Sequence, residues 1–156
     1  MSGPENARGV TRFTYSDGGR AAAGFKGDAG DCVCRAVAIA AGRPYDVVYR
    51  ELSEINARMR PSKRCSSAGR RSARNGVRTK SDLFHRYMDS LGFTWTPTMS
   101  VGQGCKVHLR ADELPMGDLV VRVSKHVVAV LDGVIHDTYD PSRGGTRCVY
   151  GYWRKA

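Results

Sequence analysis

No stretch of this chain is apolar for long enough to cross a bilayer, which takes about 20 residues. The opening residues Met1-Ser2-Gly3-Pro4-Glu5 are polar and lack the apolar core of a secretory signal, so a cytoplasmic location, in the producing or host cell, is expected. Cysteine occurs in an odd number, at 32, 34, 65, 105 and 148, which argues for free thiols and against a disulfide framework. Cys32 and Cys34 form C-x-C, and even with His108, Cys105 and Cys148 the spacing matches no paired-ligand zinc pattern, so neither metal nor cofactor is expected. Acidic residues are few, 15 against 25 Lys and Arg, leaving a net charge of +10. None lies between Arg58 and Lys80. That block reads either as a solvated loop or as an electrostatic footprint for nucleic acid or an acidic protein, with Arg60, Lys63, Arg64, Arg70, Arg71, Arg74 and Arg78 as its candidate residues.

What is present suffices for one domain: 156 residues, 41% of them hydrophobic, can bury a core without cross-links. Residues 1–24 are rich in Gly, Ala, Ser and charge and read as a flexible arm, in which Arg12-Phe13-Thr14-Tyr15 can form a short edge strand. From Asp31, a plausible N-cap, an apolar helix runs to Gly42. Pro44 opens a second helix, with Tyr45, Val48, Leu52 and Ile55 at helical spacing, ending near residues 58–60. A basic insertion loop follows at about 59–79. A third helix, capped by Ser81 or Thr79, presents Leu83, Phe84, Tyr87, Met88 and Leu91. Short strands then follow, the clearest being 118–123, 126–131 and 134–139, with Asp132-Gly133 as a two-residue hairpin turn and a last strand over 147–153. Helices first and strands after predict an α+β domain over 25–156, with helices packed on a C-terminal antiparallel sheet.

Two segments carry chemistry. The helix beginning at Asp31-Cys32 puts a thiol at a helix start, where unpaired N–H groups and the positive end of the dipole favour thiolate over thiol. In the hairpin, Leu131 opposite Val134 sets a register in which Asp137 is the diagonal neighbour of His126, with Val128, Ile135 and Tyr139 on the same face. His136 and Asp140 fall on the other face, and Asp140 stays as the fallback acid if the turn is longer. A thiol, an imidazole to take its proton and an acid to orient the imidazole make a nucleophilic constellation of Cys32, His126 and Asp137. Cys34, two residues along the helix, points elsewhere and reads as packing.

The segments Asp31-Cys32-Val33-Cys34-Arg35-Ala36 and Lys125-His126-Val127-Val128-Ala129-Val130 resemble the papain-like cysteine peptidase superfamily, in particular its small bacterial branches of the bacteriocin-leader-processing and cell-wall-peptidase types. The resemblance covers roughly residues 25–140 and extends to small phage and bacterial proteins sharing Asp-Cys-x-x-Arg-Ala and His-x-x-Ala-Val-x-Asp-Gly. It implies a papain-like fold, Cys32 as nucleophile, His126 as base and Asp137 as orienting acid. It also implies a peptide or protein substrate and, for a phage or mobile-element accessory protein, a host target. Such peptidases carry a Gln before the cysteine as oxyanion donor, where this chain has Lys26, and a Gly after it, where this chain has Val33.

Other readings of the same residues stay open at this point. Cys32 and His126 are each compatible with burial in a core. His85, beside Arg86 and Tyr87, reads as surface, and Tyr150, Tyr152 and Trp153 either stack on bases or close the core at a strand edge. Two functions follow: a thiol hydrolase, most simply a peptidase or isopeptidase, or a catalytically silent protein of the same fold that holds nucleic acid or an acidic partner through its basic block.

Overall fold

The computed structural model describes residues 12–26, 30–59, 73–74, 76–100 and 102–156. The basic residues Arg60, Lys63, Arg64, Arg70 and Arg71 and the thiol of Cys65 lie outside the described residues. The fold is mixed α+β. Its elements in chain order are β1 (Arg12–Tyr15), α1 (Cys32–Ala41), α2 (Tyr45–Arg58), α3 (Asp82–Ser90), β2 (Phe93–Pro97), β3 (Asp118–Val123), β4 (His126–Leu131), β5 (Val134–Asp137) and β6 (Val149–Lys155).

Helix α1 is short, rich in Ala and Val, and buried along 7 of its 10 residues, as befits a helix covered on most sides. Gly42 ends it in the left-handed conformation (φ 64°), where its N–H returns to the last turn. The Lys155 ammonium donates to the Ala41 carbonyl at 3.2 Å, placing a cation at the helix C-terminus. Helix α2 buries Tyr45, Val48, Leu52 and Asn56. Helix α3 starts at Ser81, whose hydroxyl accepts from the Phe84 N–H at 3.2 Å, and buries Phe84, Tyr87 and Met88.

Among the described residues, six strands form one sheet in the order β1-β5-β4-β3-β6-β2. The hairpin register is the expected one: Leu131 pairs with Val134, Val130 with Ile135 and Ala129 with His136. Asp132 and Gly133 both have positive φ (47° and 80°), as a two-residue turn matched to strand twist requires. Two features depart from expectation. The sheet is not purely antiparallel, because β1 pairs parallel with β5, Tyr15 lying opposite Asp137. That pairing also brings residues 12–15 into the sheet, ahead of the residue-25 boundary, and Gly18 (φ 70°) seats the following turn so close to α1 that a Cβ would lie 3.0 Å from the Arg35 carbonyl oxygen.

The sheet separates two apolar clusters. On one face α1, α2 and α3 pack on Val120, Val127, Ala129 and Trp153. On the other, Leu109 and Leu114 cover Leu119, Val121, Val123, Val128, Val130 and Ile135. Strand β6 contributes to both, because its register against β3 shifts by one residue: Arg122 pairs with Gly151, but Val123 pairs with Val149. The extra residue, Tyr150, is a β-bulge that reverses the alternation, so Val149 packs on one face and Trp153 on the other.

The end of the expected 59–79 loop is pinned in place. Ala73 and Val77 are buried, the Asn56 amide donates to the Gly76 carbonyl at 2.9 Å, and the Ala73 N–H donates to the Ser53 hydroxyl at 3.0 Å. The thiols also differ from expectation: Cys105 and Cys148 form a disulfide, while Cys32 and Cys34 are free. Among the described residues no helix is long and apolar enough to cross a membrane.

Candidate active site

Each of the three expected residues sits at the end of its element. Cys32 is the first residue of α1, His126 the first of β4 and Asp137 the last of β5. Antiparallel pairing brings the start of β4 and the end of β5 to the same edge of the sheet, and α1 packs across β4 with its N-terminus at that edge. The turn before His126 is tight: Val123 pairs directly with His126, and Lys125 takes the left-handed conformation (φ 56°) to make this possible.

The His126 Nε2 lies 2.6 Å from Asp137 Oδ2, and both side chains are buried. The Cys32 side chain is the other group acting on the ring, and its interaction favours the protonated imidazole. Burial alone disfavours charge on the ring. The hydrogen bonds to Asp137 and Cys32, and the charges of those partners, outweigh it and raise the His126 pKa to about 9. Tyr139 lies against the ring, centroids 5.3 Å apart, and leaves the Cys32 side half-buried and approachable.

Asp137 is fixed from its other oxygen as well. Oδ1 accepts the Thr138 N–H at 2.7 Å and lies 3.5 Å from an Arg35 guanidinium nitrogen. Arg35 in turn pairs with Asp31, one helical turn back. Asp31 is 1% exposed, accepts the Tyr45 hydroxyl and is ion-paired with the Arg20 guanidinium at 3.2 Å. The side chain of Asp31 therefore does not cap α1, as expected from its place in the sequence, but anchors a buried chain of charge from Arg20 to His126. The first bond of the α1 ladder runs from the Arg35 N–H to the Asp31 carbonyl at 3.1 Å, so the N–H groups of Cys32, Val33 and Cys34 precede it.

The remaining candidates are placed elsewhere. Asp140, the fallback acid, accepts the Ser142 N–H at 2.9 Å within its own loop. Cys34 is buried, its Sγ 3.8 Å from the Ala73 carbonyl oxygen, and burial pushes its thiol pKa far up. His85 is half-buried, with its ring packed 5.6 Å from Trp95 and 5.4 Å from Trp153. Trp153 closes the core. His108 turns its Nδ1 toward Glu113 at 3.2 Å, and Cys105 and Cys148 are bonded to each other. Arg74 and Arg78 are exposed, and Lys26, at the expected oxyanion position, is also exposed. Sequence reasoning missed the roles of Arg20, Arg35 and Tyr45. The available signal was the Asp31–Arg35 spacing of one helical turn, a pairing distance on any helix. Comparison with family models, with curated proteins and with solved structures returned no match.

Proposed function

We propose that this chain is a thiol hydrolase of the papain-like type, a peptidase or isopeptidase that transfers an acyl group to Cys32. The observation that carries the reading is the His126 ring anchored at 2.6 Å by a doubly engaged Asp137, with Cys32, at the start of α1, the other group that raises its pKa. In the acylation step His126 takes the thiol proton and the sulfur attacks the substrate carbonyl carbon. The C–N bond then breaks, and the amine leaves with the proton that His126 returns. Water deprotonated by the same ring attacks the thioester, releasing the acid and restoring the thiol. Asp137 keeps its charge throughout, orienting the ring and stabilising its protonated form. A pKa of about 9 favours the imidazolium that each step requires. In place of the family's Gln, the N–H groups at the start of α1 supply donors for the oxyanion, and the dipole of the helix adds to them. The proposed setting is the cytoplasm of the producing or host cell.

A p-nitrophenyl ester of a blocked amino acid tests the chemistry without knowledge of the natural substrate. A burst of nitrophenol equal to the enzyme concentration is expected, absent in Cys32→Ala. No burst, or one that persists in Cys32→Ala, contradicts the proposal. The silent-binding reading draws on exposed Arg74 and Arg78. It requires nucleic-acid binding that weakens steeply with salt and is unaffected by Cys32→Ala; salt-independent or absent binding excludes its nucleic-acid form.

A further inference from the structure

The helix-bearing face of the sheet carries a groove of about 570 Å³ beside β3, β6 and β2, lined by Lys80, Trp95, Pro97, Met99, Arg122 and Tyr150. Its construction is specific. Gly151 has no side chain, and the Trp95 indole occupies the place where one would be: a Cβ there would lie 2.2 Å from the ring. The β6 bulge inserts Tyr150 next to Gly151, and Tyr150 lines the groove with the Arg122 guanidinium 5.7 Å from its ring centroid. Beneath Trp95 lies Trp153, centroids 4.3 Å apart, so the apolar wall of the groove continues into the core.

Two chain connections join this groove to the Cys32 site. Arg122 pairs across the sheet with Val127, the residue after His126. On the other flank Gly76 lies against Gly30, two residues before Cys32, and Lys80 follows four residues later, within about 14 Å by the reach of the chain. The groove therefore leads away from the thiol across three strands spaced about 4.8 Å, room for a few residues of extended chain.

Its charge is of one sign. Neither Arg122 nor Lys80 has an acidic partner among the described residues, although the chain pairs Arg20, Arg35, Arg43 and Arg110 with acids. Arg122 is partly withdrawn from water, and burial lowers its pKa, an effect that Tyr150 only partly offsets. A half-buried guanidinium beside an ammonium, over an aromatic wall, is complementary to a carboxylate carried on a flexible chain.

We propose that this groove is a specificity subsite of the Cys32 centre, and that it takes an acidic side chain of an extended peptide, held by Arg122 and Lys80. This rests on the thiol-hydrolase reading. The probe is a hexaglutamate peptide blocked at both ends, so that only side-chain carboxylates are offered, with hexaglutamine as the uncharged control. Of the chain's 2 tryptophans, Trp95 lines the groove and Trp153 packs beneath it, so their fluorescence reports occupancy. In the Cys32→Ala protein hexaglutamate shifts the emission and hexaglutamine does not. Arg122→Gln weakens that binding about tenfold, as the loss of one charge-assisted bond implies, and exposed Lys80→Gln weakens it without touching the core. In the wild-type protein the peptide slows iodoacetamide alkylation of Cys32. No shift, a shift that survives both substitutions, or a shift given only by oligo-dT overturns the proposal, the last in favour of nucleic acid. Peptide binding that leaves Cys32 alkylation unslowed also overturns it. Failure of the hydrolase reading registers separately, as a missing ester burst in a protein that still binds the peptide.

Discussion

Asp137 has both carboxylate oxygens engaged, one by His126 and the other by Thr138 and Arg35, and it follows that this acid, not Asp140, sets the state of the ring. The His126 pKa of about 9 lies above the 6.5 of a free imidazole. The protonated ring therefore favours the folded protein. That contribution is complete below about pH 6.5 and is lost as the pH rises through 9. A ¹⁵N-imidazole NMR titration is expected to give an inflection near 9 in the wild-type protein and a lower one in Asp137→Asn. An inflection near 6.5 that is indifferent to Asp137→Asn contradicts the assignment. Asp140→Asn is expected to leave the ester burst unchanged, since its carboxylate serves its own turn. The pair His126–Asp137 was legible in the sequence because a two-residue turn fixes register, and register fixes which side chains meet. Reading Asp31 as a cap was the natural choice for an acid before a helix, and failed because Arg20, Arg35 and Tyr45 compete for its oxygens. Two of those partners come from other elements, and no local pattern announces them.

Helix α1 and strand β5 are tied together by the charges of Asp31, Arg35 and Asp137. Asp31→Ala leaves two guanidinium groups and a buried hydroxyl without their acceptor. Loss of about 3 kcal/mol is expected in urea unfolding, the usual cost of stranding one side of a buried ion pair. A loss under about 0.5 kcal/mol, the range of surface changes, contradicts the role assigned to Asp31. Strand β6 gives a second prediction. Gly151→Ala drives a methyl into the Trp95 ring and the Thr96 carbonyl, so a destabilisation of about 1–3 kcal/mol with altered tryptophan emission is expected. An unchanged spectrum and midpoint contradict the packing of Trp95 on Gly151. The helices were legible from apolar spacing and from Gly42, Ser81 and Gly92. The strands were legible from alternation, with β3 and β4 found at their observed bounds. The bulge at Tyr150 was not, because one inserted residue leaves the composition of β6 intact and shows only against its partner β3.

At the scale of the whole molecule, the long-range contacts are what the sequence concealed. The parallel pairing of β1 with β5 joins residues more than a hundred positions apart, and short strands at an edge carry little pattern of their own. The Cys105–Cys148 bond likewise joins a loop to the start of β6 across 43 positions, in a chain whose odd cysteine count argues for free thiols. It closes the loop after β2, whose Met99 lines the proposed groove and lies 3.7 Å from the Cys148 sulfur. Reduction, the state a cytoplasm favours, is expected to cost about 2–4 kcal/mol and to loosen that wall; equal melting temperatures with and without reductant contradict this. The basic excess and the groove concern what the molecule meets, whereas the thiol concerns what it does. Alkylation by iodoacetamide at pH 7, followed cysteine by cysteine in the mass spectrum, tests the latter most directly. An ordinary thiol with a pKa of about 8.5 is only about 3% ionised at that pH, so removing a neighbouring base lowers its rate by about tenfold or more. Cys32 is expected to react well ahead of buried Cys34 and to slow by that factor in His126→Ala. A Cys32 no faster than Cys34, or one whose rate is the same in His126→Ala, would contradict the assignment of Cys32 as nucleophile and His126 as its base.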